Sequence, residues 1–222
     1  MEQILPLQGL PAAIGLNQRY IAQQSTTLII KEKLFSWGGD YTVTDVNNNA
    51  WFKVNGKVLS LHQKKAITDL QGQEIFTVNT RLVALFKSFF LTSPQGGEIM
   101  QVTGNFSSKF PEGPPSPPPT TYNSTHVLTT LQTVGTPKST IQFTNVTDGQ
   151  PVKIVIKGNF FDTEAYIRVN DLTIARINRK FVNIIGPQKY TVTVAPGADV
   201  AMVMAICICL DERRENDGNA IL

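Results

Sequence analysis

A run of apolar residues near the end of the chain constrains the fold more than any other feature. From Val200 to Leu210 eleven residues follow one another without a charged, amide or hydroxyl side chain. A helix of that composition is apolar on every face, so it has to be enclosed on all sides. Spanning a bilayer takes about 20 apolar residues, whereas a run of about 10–14 is typical of a buried core helix. We therefore predict a short core helix with Val200, Val203, Ile206 and Leu210 as structural positions.

Residues on both sides of the run mark the ends of this helix. Pro196 and Gly197 interrupt the preceding segment, and Asp199 places a carboxylate where the helix dipole favours negative charge. Arg213 and Arg214 place cations near the other end. The rest of the chain is therefore expected to form a container around the helix.

Short β-strand signals fill most of the remaining sequence. β-Branched and aromatic residues alternate with turn-forming dipeptides such as Asn55-Gly56 and Gln71-Gly72. We predict strands at residues 27–31, 41–45, 51–55, 58–61, 66–70, 74–79, 98–106, 140–144, 153–157, 165–169, 172–177, 182–185 and 190–195. Residues 82–91 fit either a strand or a short helix. About a dozen strands predict a mainly β protein: a closed antiparallel barrel wide enough to enclose a helix about 10–12 Å across.

Length and composition favour one domain, because 222 residues with 41% hydrophobic side chains are enough for a sizeable single core. We expect an irregular, loosely attached lead-in at residues 1–25, a barrel domain at 26–215 and a polar tail at 216–222. Residues 111–121 hold six prolines in eleven positions, so they cannot pair as a strand. They are predicted to be a surface insertion, either a semi-rigid spacer or a ligand for a polyproline-binding protein.

The N-terminal residues show no secretory pattern, and the chain has only two cysteines, Cys207 and Cys209. Both lie in the apolar run, where positions i and i+2 point to different sides of a helix, so a disulfide between them is disfavoured. Free buried thiols suit a reducing compartment. We expect a cytoplasmic protein without a transmembrane segment, with peripheral membrane association as an option.

No catalytic constellation is visible in the sequence. His62 and His126 are the only histidines, and neither stands in a metal-protease motif; nucleophile-elbow and phosphate-loop patterns do not occur. The segment that begins at Asp45 imitates a calcium loop, but Ala50 and Gly56 replace the required Gly and Glu, so a hairpin turn is the better interpretation. We expect a protein that is not an enzyme and that holds no cofactor or metal.

Two pairs of basic residues are the best functional lead. Lys64-Lys65 and Arg179-Lys180 lie 115 residues apart, as do the two halves of a weak internal repeat of five matched positions. If the repeat is structural, the pairs form related patches on the barrel surface that attract an anionic lipid. The alternative interpretation is that they are ordinary solvated strand positions that keep the barrel soluble.

Four runs of the sequence resemble the LURP-one-related family. They are F-K-V-N-G-K-V-L-S-L-H-Q-K-K-A-I-T-D-L at 52–70, I-K-G-N-F-F-D at 156–162, I-A-R-I-N-R-K-F at 174–181, and the segment 190–211 with V-A-P-G-A-D-V-A inside it. The resemblance implies the Tubby C-terminal-like fold, a twelve-stranded barrel around a C-terminal helix, which this family shares with phospholipid scramblases and Tubby-like proteins. The Pro-rich insertion departs from the plant members.

The resemblance also implies a function. Tubby-like relatives bind phosphoinositides through basic residues, so a cytosolic module that associates reversibly with anionic membrane lipids, as a tethered regulator, is the leading expectation. Lys64, Lys65, Arg179 and Lys180 are the candidate lipid-binding residues. A protein-interaction scaffold that uses the Pro-rich loop is the alternative. A lipid scramblase is less favoured because the apolar run is too short to span a bilayer. No nucleic-acid partner is expected.

Overall fold

The computed structural model describes residues 6–32, 40–57, 64–83, 86–103, 140–158, 164–179 and 189–219. The elements of this described part are a 3-10 turn (Gln18–Tyr20), β1 (Thr26–Glu32), β2 (Tyr41–Asp45), β3 (Ala50–Lys57), β4 (Lys64–Thr68), β5 (Glu74–Val83), β6 (Phe86–Thr92), β7 (Glu98–Thr103), β8 (Thr140–Thr144), β9 (Pro151–Gly158), β10 (Glu164–Val169), β11 (Leu172–Asn178), β12 (Lys189–Val194) and α1 (Val200–Asn219).

The strands close into one barrel. Each strand pairs antiparallel with the next strand of the chain, and β1 pairs with both β2 and β12. Leu28 of β1, for example, lies opposite Val192 on one side and Asp45 on the other. Closure gives each of the twelve described strands a partner on both sides. The predicted closed antiparallel barrel of about twelve strands is confirmed.

The helix fills the lumen of the barrel. Successive strand residues point to opposite faces, so β10 buries Ala165, Ile167 and Val169 while the residues between them stay half-buried. No residue from Val200 to Leu210 is more than 1% exposed. The inward strand positions and the helix therefore form a single core, and the predicted enclosure of the apolar helix is confirmed.

The barrel has two different ends. Because neighbouring strands are antiparallel, the turns that follow β2, β4, β6, β8 and β10 lie at the end where α1 begins, which we call the helix-start end. The opposite end, which α1 reaches at Asp211 and Glu212, is called the helix-exit end. Function has to be considered separately for the two ends.

Some local predictions differ from the structure. The ambiguous residues 82–91 are neither one strand nor a helix, because β5 ends at Val83 and β6 begins at Phe86. The helix extends to Asn219, into the expected polar tail. The strands expected at 58–61 and 182–185 and the Pro-rich segment 111–121 lie outside the described residues.

Asp199 joins the helix to the start of the chain. Its Oδ1 accepts a hydrogen bond from Met202 N at 3.0 Å, which caps the helix, and its Oδ2 accepts from Leu16 N at 2.9 Å and Asn17 N at 2.8 Å. The side chain is fully buried. Burial raises the pKa of this carboxyl, and the backbone donors, Met202 N first among them, oppose that shift. The Asp199 carboxylate thus accepts hydrogen bonds from backbone N–H groups of both the helix and the lead-in.

The expectation of a loosely attached lead-in is wrong. Leu10 N donates to Pro196 O and Ile14 N to Gly197 O, both at 2.9 Å. The side chain of Asn145, from the turn between β8 and β9, accepts from Gly15 N at 3.0 Å. The described lead-in residues are therefore bound across the helix-start end. Backbone atoms make most of these hydrogen bonds, and a pattern of side chains does not predict bonds of that kind.

Gly15 and Gly97 make a matched test of this attachment. A Cβ added at Gly15 would collide with Asp199 Cβ and lie 2.9 Å from Ile21 Cδ1, whereas a Cβ at Gly97 would meet nothing nearer than Ser93 Oγ at 3.8 Å. We expect Gly15→Ala to lower the free energy of unfolding by about 1–3 kcal/mol, as overpacking does. Gly97→Ala should be neutral or slightly stabilising, because it only restricts the unfolded chain. Equal unfolding midpoints in urea for the two variants would contradict the tight attachment of the lead-in.

Candidate functional site

Two carboxylates lie inside the barrel where α1 leaves it. Asp211 and Glu212 follow the apolar run directly and are only 3% and 5% exposed. An ionised carboxylate in an apolar interior is costly unless it is paired and hydrogen-bonded. The barrel wall therefore has to supply partners to both.

Glu212 pairs with Lys65 of β4. The Lys65 Nζ lies 2.6 Å from Glu212 Oε1, and the two side chains are 5% and 7% exposed. The same ammonium group lies 5.0 Å from the ring centroid of Tyr41 on β2, within the range of a cation–π interaction. Lys65 is thus held between a carboxylate on the helix and an aromatic ring on the wall.

Asp211 pairs with Arg179 and Tyr190. Arg179 Nη2 donates to Asp211 Oδ1, and the Tyr190 hydroxyl donates to Asp211 Oδ2 at 2.6 Å. The guanidinium carbon also lies 4.0 Å from the centroid of the Tyr190 ring. Burial, and then the charge of Asp211, raises the pKa of Tyr190 well above its ordinary value. The phenol therefore stays protonated and can donate.

The two ion pairs hold the helix from nearly opposite walls. Lys65 belongs to β4 and Arg179 follows β11, and these strands are separated by β3, β2, β1 and β12 on the shorter way around the ring. Asp211 and Glu212 are adjacent on the helix and point about 100° apart, as 3.6 residues per turn requires. Rotating the helix or sliding it along the lumen would break both pairs, so the buried charge cluster of Lys65, Arg179, Asp211 and Glu212 fixes its position.

The cluster does not offer an activated nucleophile among the described residues. Cys207 lies one helical turn before Asp211, but burial, followed by the charge of Asp211, raises the pKa of its thiol well above the ordinary value. Such a thiol stays protonated, and the thiolate is the reactive form. Within the described ranges, no three His, Cys, Asp or Glu side chains group as metal ligands. The cluster can orient the helix, and its charges are compensated internally.

The four candidate lipid-binding residues fall in different environments. Lys64 is exposed at the first position of β4. Lys65 and Arg179 are buried, at 4% and 5% exposure, and pair with the helix. Lys180 lies outside the described residues. Lys65 and Arg179 therefore do not belong to surface patches, which corrects the expected position of these two side chains. The prediction that Lys65 and Arg179 bind lipid was based on that expected surface position.

Strand geometry explains the correction. Neighbouring residues of a strand face opposite sides of the sheet, so Lys64 and Lys65 cannot both point outward. The internal repeat also fails in three dimensions, because its matched residues Lys53 and Arg168 lie on β3 and β10, which run in opposite directions around an up-and-down barrel. The equal spacing of the basic pairs therefore does not reflect two related β units.

Exposed lysines do occur at the helix-exit end. Lys31 is the last residue but one of β1, Lys157 is the last but one of β9, and both are exposed, as is Lys64. The described carboxylates of the same rim, Glu32, Asp40 and Glu164, are only half-exposed.

The helix-start end carries charges of both signs. Five carboxylates that are exposed or half-exposed lie in its turns and at the adjoining strand ends: Asp45, Glu74, Glu98, Asp148 and Asp171. Of the described cations near this end, Arg19 and Arg168 lie 3.7 and 3.8 Å from carboxylate oxygens of Asp69 and Asp171, and Arg81 lies 3.1 Å from Glu98. Lys153, near the start of β9, is exposed. Exposed lysines therefore predominate over the described carboxylates at the helix-exit end, whereas the helix-start end mixes both signs.

Asp211, Glu212 and Tyr190 were missed as partners of the basic residues. The available signal was the acidic pair directly after a run that must be enclosed, since a carboxylate at that depth requires a cation. Which lysine or arginine supplies it depends on strand order and register. The sequence pattern alone does not determine strand order or register.

Comparisons with known proteins agree with this fold. The sequence model of the LURP-one-related family matches residues 26–211. The X-ray structure of a protein from Arabidopsis thaliana aligns with a TM-score of 0.54 and 18% sequence identity, over 89% of this chain and 96% of that chain. At that identity the likeness concerns the fold. The chain has no significant match among curated protein sequences.

A double-mutant cycle tests the ion pair between Lys65 and Glu212. Lys65→Met alone leaves the buried Glu212 carboxylate without its cation, so we expect the free energy of unfolding to fall by about 3–5 kcal/mol. Adding Glu212→Gln removes that charge and should recover a substantial part of the loss. Lys53→Met, at an exposed position of β3, is the control and should change stability by less than about 0.5 kcal/mol. Additive effects of the two substitutions in urea titrations would contradict the pairing.

Proposed function

The chain belongs to the LURP-one-related family, and from that membership and the exposed lysines of its helix-exit end we propose that it is a non-enzymatic module that associates reversibly with anionic membrane surfaces. The helix-exit end faces the membrane. The partner chemistry is a lipid phosphate, of the phosphoinositide type that the likeness to Tubby-like proteins implies. The observation that carries the proposal is the group of exposed lysines at the helix-exit end, Lys31, Lys64 and Lys157.

Electrostatics select the orientation. A lysine near an anionic leaflet contributes about 1 kcal/mol of attraction, so Lys31, Lys64 and Lys157 together supply roughly 3 kcal/mol before screening. The carboxylates of the helix-start end would be repelled from the same surface. The attraction decays within a Debye length of about 8 Å at physiological ionic strength, so association of this kind is weak, reversible and sensitive to salt.

The interior of the barrel supports a binding role in preference to a catalytic one. The four ionisable groups of the buried charge cluster, at the helix-exit end, are paired with each other. Charges held in that way fix a scaffold, whereas a catalytic acid, base or nucleophile has to reach its substrate. The described part of the chain has no helix that is both long and apolar enough to cross a membrane.

Liposome sedimentation with two matched double variants tests the proposal. Lys31→Glu with Lys157→Glu reverses two exposed charges near the helix-exit end. Lys53→Glu with Lys153→Glu makes the same change of charge farther from that end, since Lys53 lies midway along β3 and Lys153 near the start of β9. Wild-type protein should bind vesicles that contain phosphatidylserine or a phosphoinositide, and raised salt should weaken the binding. The first variant should lose most of this binding and the second should keep most of it.

Two results would overturn the proposal. Equal sedimentation with pure phosphatidylcholine vesicles would exclude anionic recognition. Equal losses for the two variants, with circular dichroism showing both folded, would mean that net charge matters and that the helix-exit end does not.

A further inference from the structure

Two neighbouring lysines of the outer wall lack a carboxylate partner among the described residues. Lys31 of β1 and Lys53 of β3 are exposed, and neither ammonium group forms an ion pair with a described side chain. The arginines of the described wall differ, because Arg81, Arg168 and Arg176 lie 3.1, 3.8 and 3.9 Å from a carboxylate oxygen. The wall therefore compensates its arginines and leaves these two lysines uncompensated.

Strand register places the two lysines on either side of Thr42. Lys31 is directly opposite Thr42 in the pairing of β1 with β2, and Thr42 is directly opposite Lys53 in the pairing of β2 with β3. Thr42 is half-exposed and faces outward, since the adjacent Tyr41 and Val43 are buried. Neighbouring strands are about 4.8 Å apart, so the backbones of the two lysines are about 10 Å apart. We call Lys31, Thr42 and Lys53 the lysine–threonine row.

The row presents three hydrogen-bond donors to one place. The flexible four-carbon stem of lysine lets both ammonium groups reach the space above Thr42. The Thr42 hydroxyl donates to Lys31 O at 3.4 Å, whereas an ordinary O–H···O hydrogen bond is about 2.5–3.0 Å long. A hydroxyl held this weakly can rotate and donate to another acceptor. The row is therefore built for an acceptor that carries negative charge.

The described carboxylates close to the row do not neutralise it. Glu32 follows Lys31 directly, so it faces the opposite side of β1. Asp40 shares the outer face of β2, but its Oδ1 accepts from Gly56 N at 2.9 Å, on the side of the helix-exit end. Asp45 accepts from two backbone N–H groups of its own turn at 2.8 and 2.9 Å. None of these three carboxylates forms an ion pair with a lysine of the row.

A carboxylate would suit the stability of the sheet better than Thr42 does. Opposite charges on directly opposed residues of neighbouring strands stabilise a sheet. Thr42→Glu would place a carboxylate opposite a lysine on each side, whereas the threonine leaves two positive charges close together. Departures of this kind from the locally most stable choice are expected at functional sites.

Charge identifies the chemistry of the ligand. Two ammonium groups compensate a group with two negative charges, and a phosphate monoester carries about −1.5 to −2 at pH 7. Its oxygens accept hydrogen bonds from ammonium groups and hydroxyl groups alike. A carboxylate or a phosphodiester carries one charge and would leave one lysine of the row uncompensated.

We propose that Lys31, Thr42 and Lys53 bind the phosphate monoester group of a soluble molecule. The site lies on the wall of the barrel, with Lys53 midway along β3, so a membrane that meets the helix-exit end does not cover it. Lys31 belongs to both sites, but phosphate binding from solution does not require the membrane proposal. A lipid headgroup offers the same chemistry, and vesicle binding separates the two sources.

An NMR titration of the full chain with inorganic phosphate and with glycerol 3-phosphate tests the site. At constant ionic strength, amides of β1, β2 and β3 around the row should shift and saturate, and acetate should not produce these shifts. Lowering the pH from about 7.5 to about 5 removes most of the second charge of phosphate, so we expect the affinity to fall several-fold. Shifts that do not saturate, or equal shifts with acetate, would refute phosphate recognition.

Lys153 and Lys157 supply a matched control. Both are exposed on the outer face of β9, but they lie about 13 Å apart along one strand, and Val155 between them offers no donor. We expect Lys53→Gln to weaken phosphate binding by about tenfold, as loss of one charge-assisted hydrogen bond does. Thr42→Val keeps the shape and should weaken binding several-fold. Lys153→Gln should bind like wild type, and a loss equal to that of Lys53→Gln would reduce the effect to net charge.

Thr42→Glu distinguishes a binding site from an ordinary stretch of wall. Its carboxylate should pair with the lysines of the row, so phosphate binding should be lost while the urea midpoint of unfolding rises. Val155→Glu, between the control lysines, should keep the phosphate binding of the wild type. Phosphate binding retained by Thr42→Glu, or a midpoint that does not rise, would mean that the lysines do not converge at position 42 and would overturn the inference.

Vesicle sedimentation separates the two sources of phosphate. Lys53→Gln should bind anionic vesicles like wild type, because the membrane proposal does not use Lys53. A loss of vesicle binding equal to its loss of soluble phosphate would assign the phosphate to a lipid headgroup and reject a soluble ligand. Saturable phosphate binding by a protein that binds no vesicles would support this site and reject the membrane proposal, and the reverse result would reject this site alone.

Discussion

The complete enclosure of an apolar helix is the constraint on which the rest of the structure depends. From Val200 to Leu210 no residue is more than 1% exposed, and the inward residues of all twelve strands join the helix in one core. A barrel filled only by its own side chains is narrower. The helix therefore sets the width of the barrel, and the barrel supplies the apolar surroundings without which the helix would have no soluble conformation.

Both ends of the enclosed helix carry buried carboxylates, and the protein compensates them in different ways. Asp199 accepts backbone hydrogen bonds from the helix and from the lead-in, which fastens residues across the helix-start end. Asp211 and Glu212 pair with cations from separated strands. The polar contacts thus fix the axial position of the helix, which apolar packing alone specifies poorly. With the interior committed in this way, we place the proposed lipid recognition on the outside of the helix-exit end.

The sequence predicts the fold better than the site, and particular residues show why. The run from Val200 to Leu210 and the alternation of the strands are local patterns, so the helix and the barrel can be inferred from them. The partner of Lys65 depends on the register of β4 against the helix, which no local pattern contains. The lead-in looked loose because Leu10 and Ile14 are fastened through their backbone atoms. The turns at Asp45 and at Gln71-Gly72 were recognisable one by one, but their common end of the barrel follows only from strand order.

Native-state hydrogen exchange of the helix amides tests most directly whether the helix and the barrel form one cooperative unit. If the enclosed helix is the centre of the core, the amides of Val203, Ile206 and Leu210 can exchange only when the whole barrel opens. Their exchange free energies should then equal the global free energy of unfolding measured with denaturant. Exchange of these amides at a clearly lower free energy, while the amides of β1 and β12 stay protected, would show that the helix leaves an intact barrel and would contradict the account.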